Sequence, residues 1–342
     1  MSAMKRTELD AYVCPATKKA LTLQVREERN GEIISGSLVS PAGMEYPIMD
    51  GVPDLTYPAR LSDTEEHVRA FYDARGDAYD ENLHFTFDTH GENETEVRNK
   101  FVDALDLQPS SRVLEIACGT GRDSEVIAPK LGVDGEFCLT DISPELLSRC
   151  RKKLKADVPL VYSLSNALYL PYPDHYFDAV YSFGAIGEFS DIKKCITEMV
   201  RVSKVGAKIV IGDESIPPWL LDTEFAKILL ATNKQFSARV PLESMPVEAR
   251  DVRLRWLIGG VFYLIDFKVG DGEPKGNFDI VIPGVRGGTL RTRYFGLLES
   301  VTPETKKLIE QARAKRGISM HQWLEEVIKP AAMRDLDMEE QP

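Results

Sequence analysis

The chain has 342 residues, enough for more than one domain, and its 43% hydrophobic and 28% charged residues are ordinary for a globular protein. The net charge of −12 argues against a general nucleic-acid binder, because phosphate contacts need clustered Lys and Arg. We find no signal-peptide pattern, no apolar run of the about 20 residues that span a membrane, and five cysteines without pair spacing. These features predict a cytoplasmic protein with no membrane partner.

Residues 1–60 are predicted to form a small β-rich domain. The segments LTLQVREE, EIISGSLVS and EYPIMD alternate like short strands, and Asn30-Gly31 between the first two is a hairpin signal. A unit of about 60 residues is marginal as an independent core. We therefore expect this domain to be stabilised by packing against the rest of the chain.

Residues 61–285 are predicted to form the main domain. Two helices, SDTEEHVRAFYDARGDAYDENL and ETEVRNKFVDALDL, precede a regular alternation of five strands and their helices that runs from RVLEIA to AKIVIGDE. This order predicts an α/β fold, a Rossmann-like doubly wound sheet of seven strands with helices on both faces. An insertion at about 215–250 interrupts this alternation of strands and helices and is interpreted as a cap over the strand ends.

Residues 286–342 are predicted to supply the last strand and a helical C-terminal extension. The apolar run WLIGGVFYLI, Trp256–Ile265, is interpreted as a buried strand pair or as one strand with a glycine bulge. RLRWLIGGVFYLIDF and TLRTRYFGLLE are expected to complete the sheet as an antiparallel pair. Thr302, Gly317 and Ser319 carry the cap signals of two further helices. Their apolar residues favour packing within the fold or pairing of two subunits as a homodimer. A weak basic excess leaves a dimeric DNA-binding regulator as an alternative.

The stretch VLEIACGTGRDS, residues 113–124, carries the main functional signal. Gly119 and Gly121 stand where a buried strand meets a helix, so the backbone can turn sharply and approach a ligand closely. The next strand ends in Asp141, and an acid about 20 residues after such a loop suits the hydroxyls of a ribose. The pattern predicts a nucleotide-like ligand at the strand ends.

The charges around this loop narrow the class of ligand. Ser124 stands where a dinucleotide motif has its third glycine, and the acids Glu115 and Asp123 would repel a pyrophosphate. An acid beside the loop favours a cationic ligand with a free amino group instead. A Rossmann oxidoreductase that binds NAD remains an alternative.

With these residues in order, the chain resembles the class I S-adenosylmethionine-dependent methyltransferases, nearest to the menaquinone/ubiquinone C-methyltransferase-like group. The segment from Glu115 to Gly121 resembles their first motif, and Asp141 matches their ribose-binding acid. Ser165-Asn166-Ala167 with LPYPDHYFDAVYS, and then RVSKVGAKIVI, resemble the later motifs. Asn166 replaces the usual Asp, and Val205-Gly206-Ala207 replaces Pro-Gly-Gly.

The resemblance implies S-adenosylmethionine as the cofactor and a small, partly apolar or aromatic methyl acceptor. Glu115 would hold the amino group, Asp141 the ribose and Asn166 the adenine edge. Tyr72 and Tyr79, on the helix before the core, are candidates to close over the cofactor; the alternative is that they are core aromatics with no function. The expected cofactor-binding set is Glu115, Ala117, Cys118, Gly119, Thr120, Gly121, Asp141, Ile142, Asn166, Ala167, Ser182 and Tyr72.

Glu188, in GAIGEFSD after the fourth strand, is the candidate catalytic residue. That loop faces the transferred methyl group in this architecture, so Glu188 is a candidate general base. A helix-capping or solvated carboxylate is the alternative, and Asp213 and Glu214 carry the same ambiguity. Cys118 is interpreted as a small space-filling residue and not as a nucleophile.

The N-terminal segments YVCPATKKALTL and MEYPIMDGVPDL are similar to Trm112-like domains that accompany methyltransferases. Zinc-bearing members use two cysteine pairs, whereas Cys14 is alone here and Thr17 stands where its partner would be. One thiolate cannot build a structural zinc site, so we expect no metal. A methyltransferase acting on RNA or protein, with this domain as reader, remains an alternative.

Overall fold

The chain divides into two compact units, residues 1–274 and residues 275–342. The computed structural model describes residues 3–76, 81–283, 285, 287–295 and 301–336; Tyr79 and the acidic end of the chain lie outside them. The first unit contains two β-sheets, and the described part of the second contains helices. None of the described helices combines the length and apolarity needed to cross a membrane.

The N-terminal sheet is antiparallel and holds the predicted hairpin. Its central strand, β3, pairs with three others, and β5 extends the sheet beyond β4. Asn30 and Gly31 have φ of 53° and 80°, which is the geometry of a primed turn, and Arg29 pairs with Glu32 across it. The strands are β1 (Met4–Lys5), β2 (Thr22–Arg29), β3 (Glu32–Val39), β4 (Glu45–Met49) and β5 (Val52–Pro53).

The N-terminal sheet shares its core with the larger sheet. Leu38 and Ile48 belong to the same buried cluster as Leu114. The Tyr12 hydroxyl donates to the Tyr162 carbonyl at 2.9 Å, a residue 150 positions away. The boundary predicted at residue 60 therefore separates two sheets but not two cores, because a unit of about 60 residues is marginal as an independent core.

The larger sheet has seven strands in the order β11-β12-β10-β9-β6-β7-β8, which confirms the predicted doubly wound fold. Strands β6 to β10 are parallel, and β12 runs antiparallel to β10. Strand order reverses at β6, so its carboxyl end is the topological switch point where ligands bind in such sheets. The strands are β6 (Arg112–Ile116), β7 (Glu136–Asp141), β8 (Leu160–Leu164), β9 (Phe177–Phe183), β10 (Ser203–Glu214), β11 (Ala249–Leu257) and β12 (Phe262–Val269).

Several helices of the first unit begin at a side-chain cap. Ser62, Asn93, Ser143 and Thr223 each accept the backbone N–H three residues on, which satisfies an otherwise orphan donor. The helices of the first unit are α1 (Asp63–Asp73), α2 (His84–Asp88), α3 (Glu94–Asp103), α4 (Ser124–Ile127), α5 (Pro144–Lys153), α6 (Ile192–Val202) and α7 (Glu224–Thr232). Short 3₁₀ helices lie at Arg6–Ala11, Ala128–Lys130, Ala167–Tyr169, Ile186–Glu188, Pro218–Leu220, Lys234–Ser237 and Leu242–Ser244.

The strand predicted in TLRTRYFGLLE is wrong. The sheet is completed by a hairpin inside RLRWLIGGVFYLIDF, whose two halves are β11 and β12. Gly259 and Gly260, with φ of 65° and 78°, let the chain reverse there. Because that single run supplies both strands, the sheet needs nothing after residue 269, and Leu290–Phe295 forms helix α8.

The second unit contains two further capped helices, α9 (Pro303–Arg316) and α10 (Met320–Asp335). Thr302 caps the first, Gly317 ends it in the left-handed conformation at φ 66°, and the Ser319 hydroxyl accepts the Gln322 N–H at 3.0 Å. The predicted caps are confirmed. Neither helix has a buried residue. Pairing of subunits through these helices stays a prediction.

Candidate active site

The loop after β6 lies at the switch point and uses its two glycines differently. Ala117, Gly119 and Gly121 all have positive φ, at 55°, 54° and 84°. A Cβ placed on Gly119 would meet no atom within 4 Å, so the backbone there borders open space. A Cβ on Gly121 would lie 2.7 Å from Cys150 Sγ, so this glycine lets the loop pack on α5. Gly119 is therefore the position at which a ligand can approach the chain.

Glu115 lies buried in β6 directly beneath the loop. Its Oε2 accepts a hydrogen bond from Ser124 Oγ at 2.6 Å, so the serine that replaces a third glycine holds this carboxyl. Burial, and then the charge of Asp123, raise the pKa of Glu115 well above its ordinary value. A ligand ammonium group would favour the ionised form of Glu115, which fits a cofactor with a free amino group.

A buried ion-pair network, missed in the sequence, ties α3 to this loop. Arg98 Nη1 donates to Asp123 Oδ1 at 2.6 Å, and Arg98 Nε donates to Glu94 Oε1 at 2.8 Å. Arg122 also pairs with Glu94, at 2.9 Å. The spacing of Glu94 and Arg98, four residues apart on a helix, was the one sequence signal. The network therefore places the positive charge of Arg98 beside the two acids of the motif, Glu115 and Asp123.

Asp141, at the end of β7, holds two loops together. Its Oδ2 accepts the Gly119 N–H and its Oδ1 the Ser143 N–H, each at 2.8 Å. Burial raises its pKa to about 6, although those backbone donors act in the opposite direction. A carboxylate at this place, with Gly119 beside it, fits hydroxyl groups of a sugar.

The remaining predicted cofactor residues end the neighbouring strands. Asn166, after β8, caps the turn Ala167–Tyr169 through a 3.0 Å bond from the Leu168 N–H to its Oδ1. Ala167 is buried and Ile142 follows β7. Ser182 is fully buried in β9, and within the described residues its hydroxyl has no hydrogen-bond partner. All of these positions lie at carboxyl ends of parallel strands, as the fold requires of a ligand site.

Two cavities open at these strand ends. The first, called the loop cavity, has a volume of about 150 Å³ and is lined by Glu115, Ala117, Cys118, Gly119 and Thr120, together with residues of α2, α3 and β12. The second, called the outer cavity, has a volume of about 1030 Å³. The two share Tyr72, Gly184 and Glu214 as lining residues. The loop and the larger space therefore adjoin, as a donor and an acceptor site must.

The candidate base lines the outer cavity. Glu188 Oε1 accepts hydrogen bonds from the Tyr72 hydroxyl at 3.1 Å and from Gln235 Nε2 at 3.5 Å. Burial raises the pKa of Glu188 to about 7, and the nearby Asp213 adds to the effect. A carboxylate with this pKa can take up a proton near neutral pH.

Asp213 and Glu214 end β10 beside Glu188. Asp213 Oδ2 accepts the Gly187 N–H at 2.6 Å and so fixes the turn that carries Glu188. Burial, and then the neighbouring Asp213, raise the pKa of Glu214 well above its ordinary value. Gln235, which no sequence signal indicated, reaches this cluster from the predicted cap insertion.

Cys118 lies in the loop and is buried at 5% exposure. Burial raises the pKa of its thiol well above the ordinary value, so the reactive thiolate is disfavoured at neutral pH. The geometry agrees with a space-filling role.

Residues 114–211 match a family model described as a methyltransferase domain. The match agrees with a methyltransferase domain over this segment, while the class I family and its cofactor, S-adenosylmethionine, stay predictions. The matched segment runs from β6 to β10 and so includes the glycine loop, Asp141, Asn166 and Glu188.

Curated relatives cover only part of the chain. It is 30% identical over 158 residues to a demethylmenaquinone methyltransferase of Bacillus cytotoxicus, covering 45% of this chain and 64% of that one. It is 30% identical over 174 residues to a ubiquinone/menaquinone biosynthesis C-methyltransferase of Bordetella avium, covering 50% and 64%. The chain thus spans just under two thirds of the length of these relatives. A solved S-adenosylmethionine-dependent methyltransferase of Aquifex aeolicus is 17% identical, covers 52% of this chain and 94% of that one, and has a TM-score of 0.37.

Proposed function

We propose that this protein transfers a methyl group from S-adenosylmethionine to a small molecule bound in the outer cavity. The observation that carries the proposal is the junction of the two cavities at Tyr72, Gly184 and Glu214. It joins the glycine loop to a space of about 1030 Å³ that is large enough for a small acceptor. The demethylmenaquinone and ubiquinone/menaquinone names of the relatives support a small-molecule acceptor.

The residues around the loop would hold the cofactor. Glu115 would bind its amino group, the open backbone at Gly119 would pass its methionine part, and Asp141 would accept from the ribose hydroxyls. Asn166 would meet the adenine edge. When bound, S-adenosylmethionine supplies an electrophilic methyl group on a sulfonium. The protein then has to align an acceptor and remove its proton.

Glu188 is proposed as the general base. It lines the outer cavity, and its pKa of about 7 leaves a substantial ionised fraction near neutral pH. Tyr72 and Gln235 donate to the same oxygen and would keep the other oxygen turned to the acceptor. Asp213, by holding the Gly187 N–H, would position this turn.

The acceptor is proposed to be partly apolar or aromatic. Rings of Phe71, Tyr72 and Phe189 line the outer cavity beside its polar groups. The insertion contributes Asn233 and Gln235 to the wall. We also propose a cytoplasmic location, supported by five cysteines that are all free and buried.

Calorimetry with S-adenosylhomocysteine, the demethylated product, tests the proposal. We expect saturable binding to the wild-type protein and its loss in Asp141→Ala. Absence of binding to the folded wild-type protein, or unchanged affinity in the variant, would contradict the proposal. Deletion of part of the cap should abolish turnover and leave this binding intact; an equal loss of both would assign the cap a purely structural role.

A further inference from the structure

The outer cavity has a one-sided charge. Its lining includes four carboxylic acids, Asp63, Glu188, Asp213 and Glu214, and the single imidazole of His67. Among the described lining residues there is no Lys or Arg. The guanidinium of Arg75 lies 4.0 Å from the ring centre of Phe71, so a cation already contacts one of the lining rings. The cavity therefore selects for the charge of what enters it.

This charge distinguishes between two kinds of methyl acceptor. Methylation of a phenol or an activated carbon requires an acceptor that carries developing negative charge, and nearby carboxylates oppose that charge. Methylation of an amine moves positive charge from sulfur to nitrogen, and the same carboxylates stabilise it. The electrostatics of this wall thus favour nitrogen as the attacking atom.

The lining also offers a fitting contact for an ammonium group. Tyr72 and Phe189 present aromatic rings in the same wall as the acids, and ring faces attract cations. Within the described residues, no group of three or more His, Cys, Asp or Glu is placed to hold a metal ion. An organic cation could form ion pairs with the acids of this cavity and cation–π contacts with its aromatic rings.

We infer that the methyl acceptor is an amine that enters the outer cavity as an ammonium ion and carries an apolar or aromatic substituent. The ammonium loses one proton to the Glu188 carboxylate, and the freed nitrogen lone pair forms the new N–CH₃ bond. The S–CH₃ bond breaks with its electrons remaining on sulfur, so S-adenosylhomocysteine leaves as a neutral thioether. This inference rests on the proposed function, because it concerns the acceptor of the same site.

The test compares three ligands of one shape and different charge. Protein saturated with S-adenosylhomocysteine is titrated calorimetrically with benzylamine, benzyl alcohol and benzoate at a pH where benzylamine is protonated. We expect benzylamine to bind about tenfold more tightly than benzyl alcohol, and benzoate to show no binding. Equal binding of benzyl alcohol, preferred binding of benzoate, or absence of benzylamine binding would overturn the inference.

Variants assign the effect to the cavity wall. Glu214→Gln should lower the benzylamine affinity by about tenfold and leave that of benzyl alcohol unchanged. An entering ammonium ion favours the ionised form of the Glu214 carboxyl, whose pKa burial raises in the empty cavity, and an amide cannot ionise. Asp63→Asn, at an exposed site where folding is not at risk, should lower it about twofold. Asp134→Asn removes an exposed acid from the loop before β7 and should change neither affinity.

An unchanged benzylamine-to-alcohol ratio in both cavity variants would also overturn the inference. Failure of the wild-type protein to bind S-adenosylhomocysteine is a different result, because it would overturn the proposed function itself. Methyl transfer to 1,4-naphthohydroquinone, with none to a panel of aryl-alkyl amines, would leave the proposed function standing and reject the amine.

Discussion

The Tyr72 hydroxyl donates to Glu188 Oε1 at 3.1 Å and joins helix α1 to the turn that follows β9. The two residues lie 116 positions apart, and Tyr72 lines both cavities. A rearrangement of α1 would therefore alter the entrance to the loop and the environment of the candidate base together.

Replacing Glu188 should change the pH dependence of methyl transfer. Because a base must be ionised to accept a proton, we expect the wild-type rate to fall as the pH drops below the Glu188 pKa of about 7. Glu188→Gln should transfer the methyl group about 10²–10⁴-fold more slowly, and its rate should no longer fall with decreasing pH, so the acidic limb of the pH–rate profile should be lost. Tyr72→Phe serves as the matched control: it removes a hydrogen bond that lowers the pKa, so the limb should move to higher pH. A limb that persists in Glu188→Gln would assign it to another group.

The two glycines of the loop should respond differently to alanine. Both substitutions place a Cβ at positive φ, which costs about 1–2 kcal/mol of unfolding free energy. Gly121→Ala should cost about 1–3 kcal/mol more, because the new Cβ meets Cys150 Sγ at 2.7 Å. Gly119→Ala should keep more stability and lose affinity for S-adenosylhomocysteine. Urea unfolding and calorimetry measure the two effects.

Gly206→Ala is the control for backbone strain alone. Gly206 has φ of 88° in the exposed, irregular start of β10, and a Cβ there would meet nothing within 4 Å. It should lose about as much stability as Gly119→Ala, about 1–2 kcal/mol, and bind S-adenosylhomocysteine as the wild type does. Equal affinity of Gly119→Ala and Gly206→Ala would contradict a ligand at Gly119.

Removing Arg98 should be far more costly than removing a surface cation. Arg98→Met leaves Asp123 buried without its 2.6 Å partner, and loss of one member of a buried pair typically costs about 3–5 kcal/mol. Lys130→Met breaks an exposed pair with Asp103 and should cost less than about 1 kcal/mol. Chemical denaturation compares the two, and similar losses would show that the Arg98 network contributes little.

Cofactor affinity should weaken in acid through Asp141. The pKa of this carboxyl is about 6, and a protonated carboxyl is a poorer acceptor for ribose hydroxyls than a carboxylate. We therefore expect S-adenosylhomocysteine binding to weaken as the pH falls below about 6. Asp141→Asn should bind weakly at every pH and lose the dependence. Calorimetry at several pH values measures the S-adenosylhomocysteine affinity of both proteins. An unchanged pH dependence in Asp141→Asn would exclude Asp141 as its cause.

The sequence predicted the sheet and the loop well because their signals are local. Strand periodicity, caps such as Ser143, and the glycines at 119 and 121 each depend on a few neighbouring residues. Of the two interpretations of the run from 256 to 265, the strand pair is the one that forms. The partner strand expected in TLRTRYFGLLE was wrong because hydrophobic periodicity alone does not decide between a reversal and a bulge inside one apolar stretch.

The outer cavity was less accessible to sequence reasoning. Its wall brings together α1, the turn at Ile186–Glu188, the end of β10 and the cap, segments up to about 170 residues apart. Glu188 was predicted as a candidate because it follows a strand end, whereas Gln235 and the Arg98–Asp123 pair depend on tertiary contacts. The acids of the outer cavity come from segments that are far apart in the chain, so no local sequence pattern predicts that they lie together.

The junction of the two sheets also protects an edge. The Leu55 N–H donates to the Leu164 carbonyl at 2.9 Å, and Asp54 bridges to Leu164, so the N-terminal segment covers the end of outermost strand β8. At the opposite edge, β11 carries Arg250, Arg253 and Arg255, and such charges discourage strand addition from another molecule. A shortened protein that begins after residue 60 would expose β8 and the apolar face beside it. We expect this shortened protein to self-associate more than the full chain, because an uncovered edge strand can pair with another molecule.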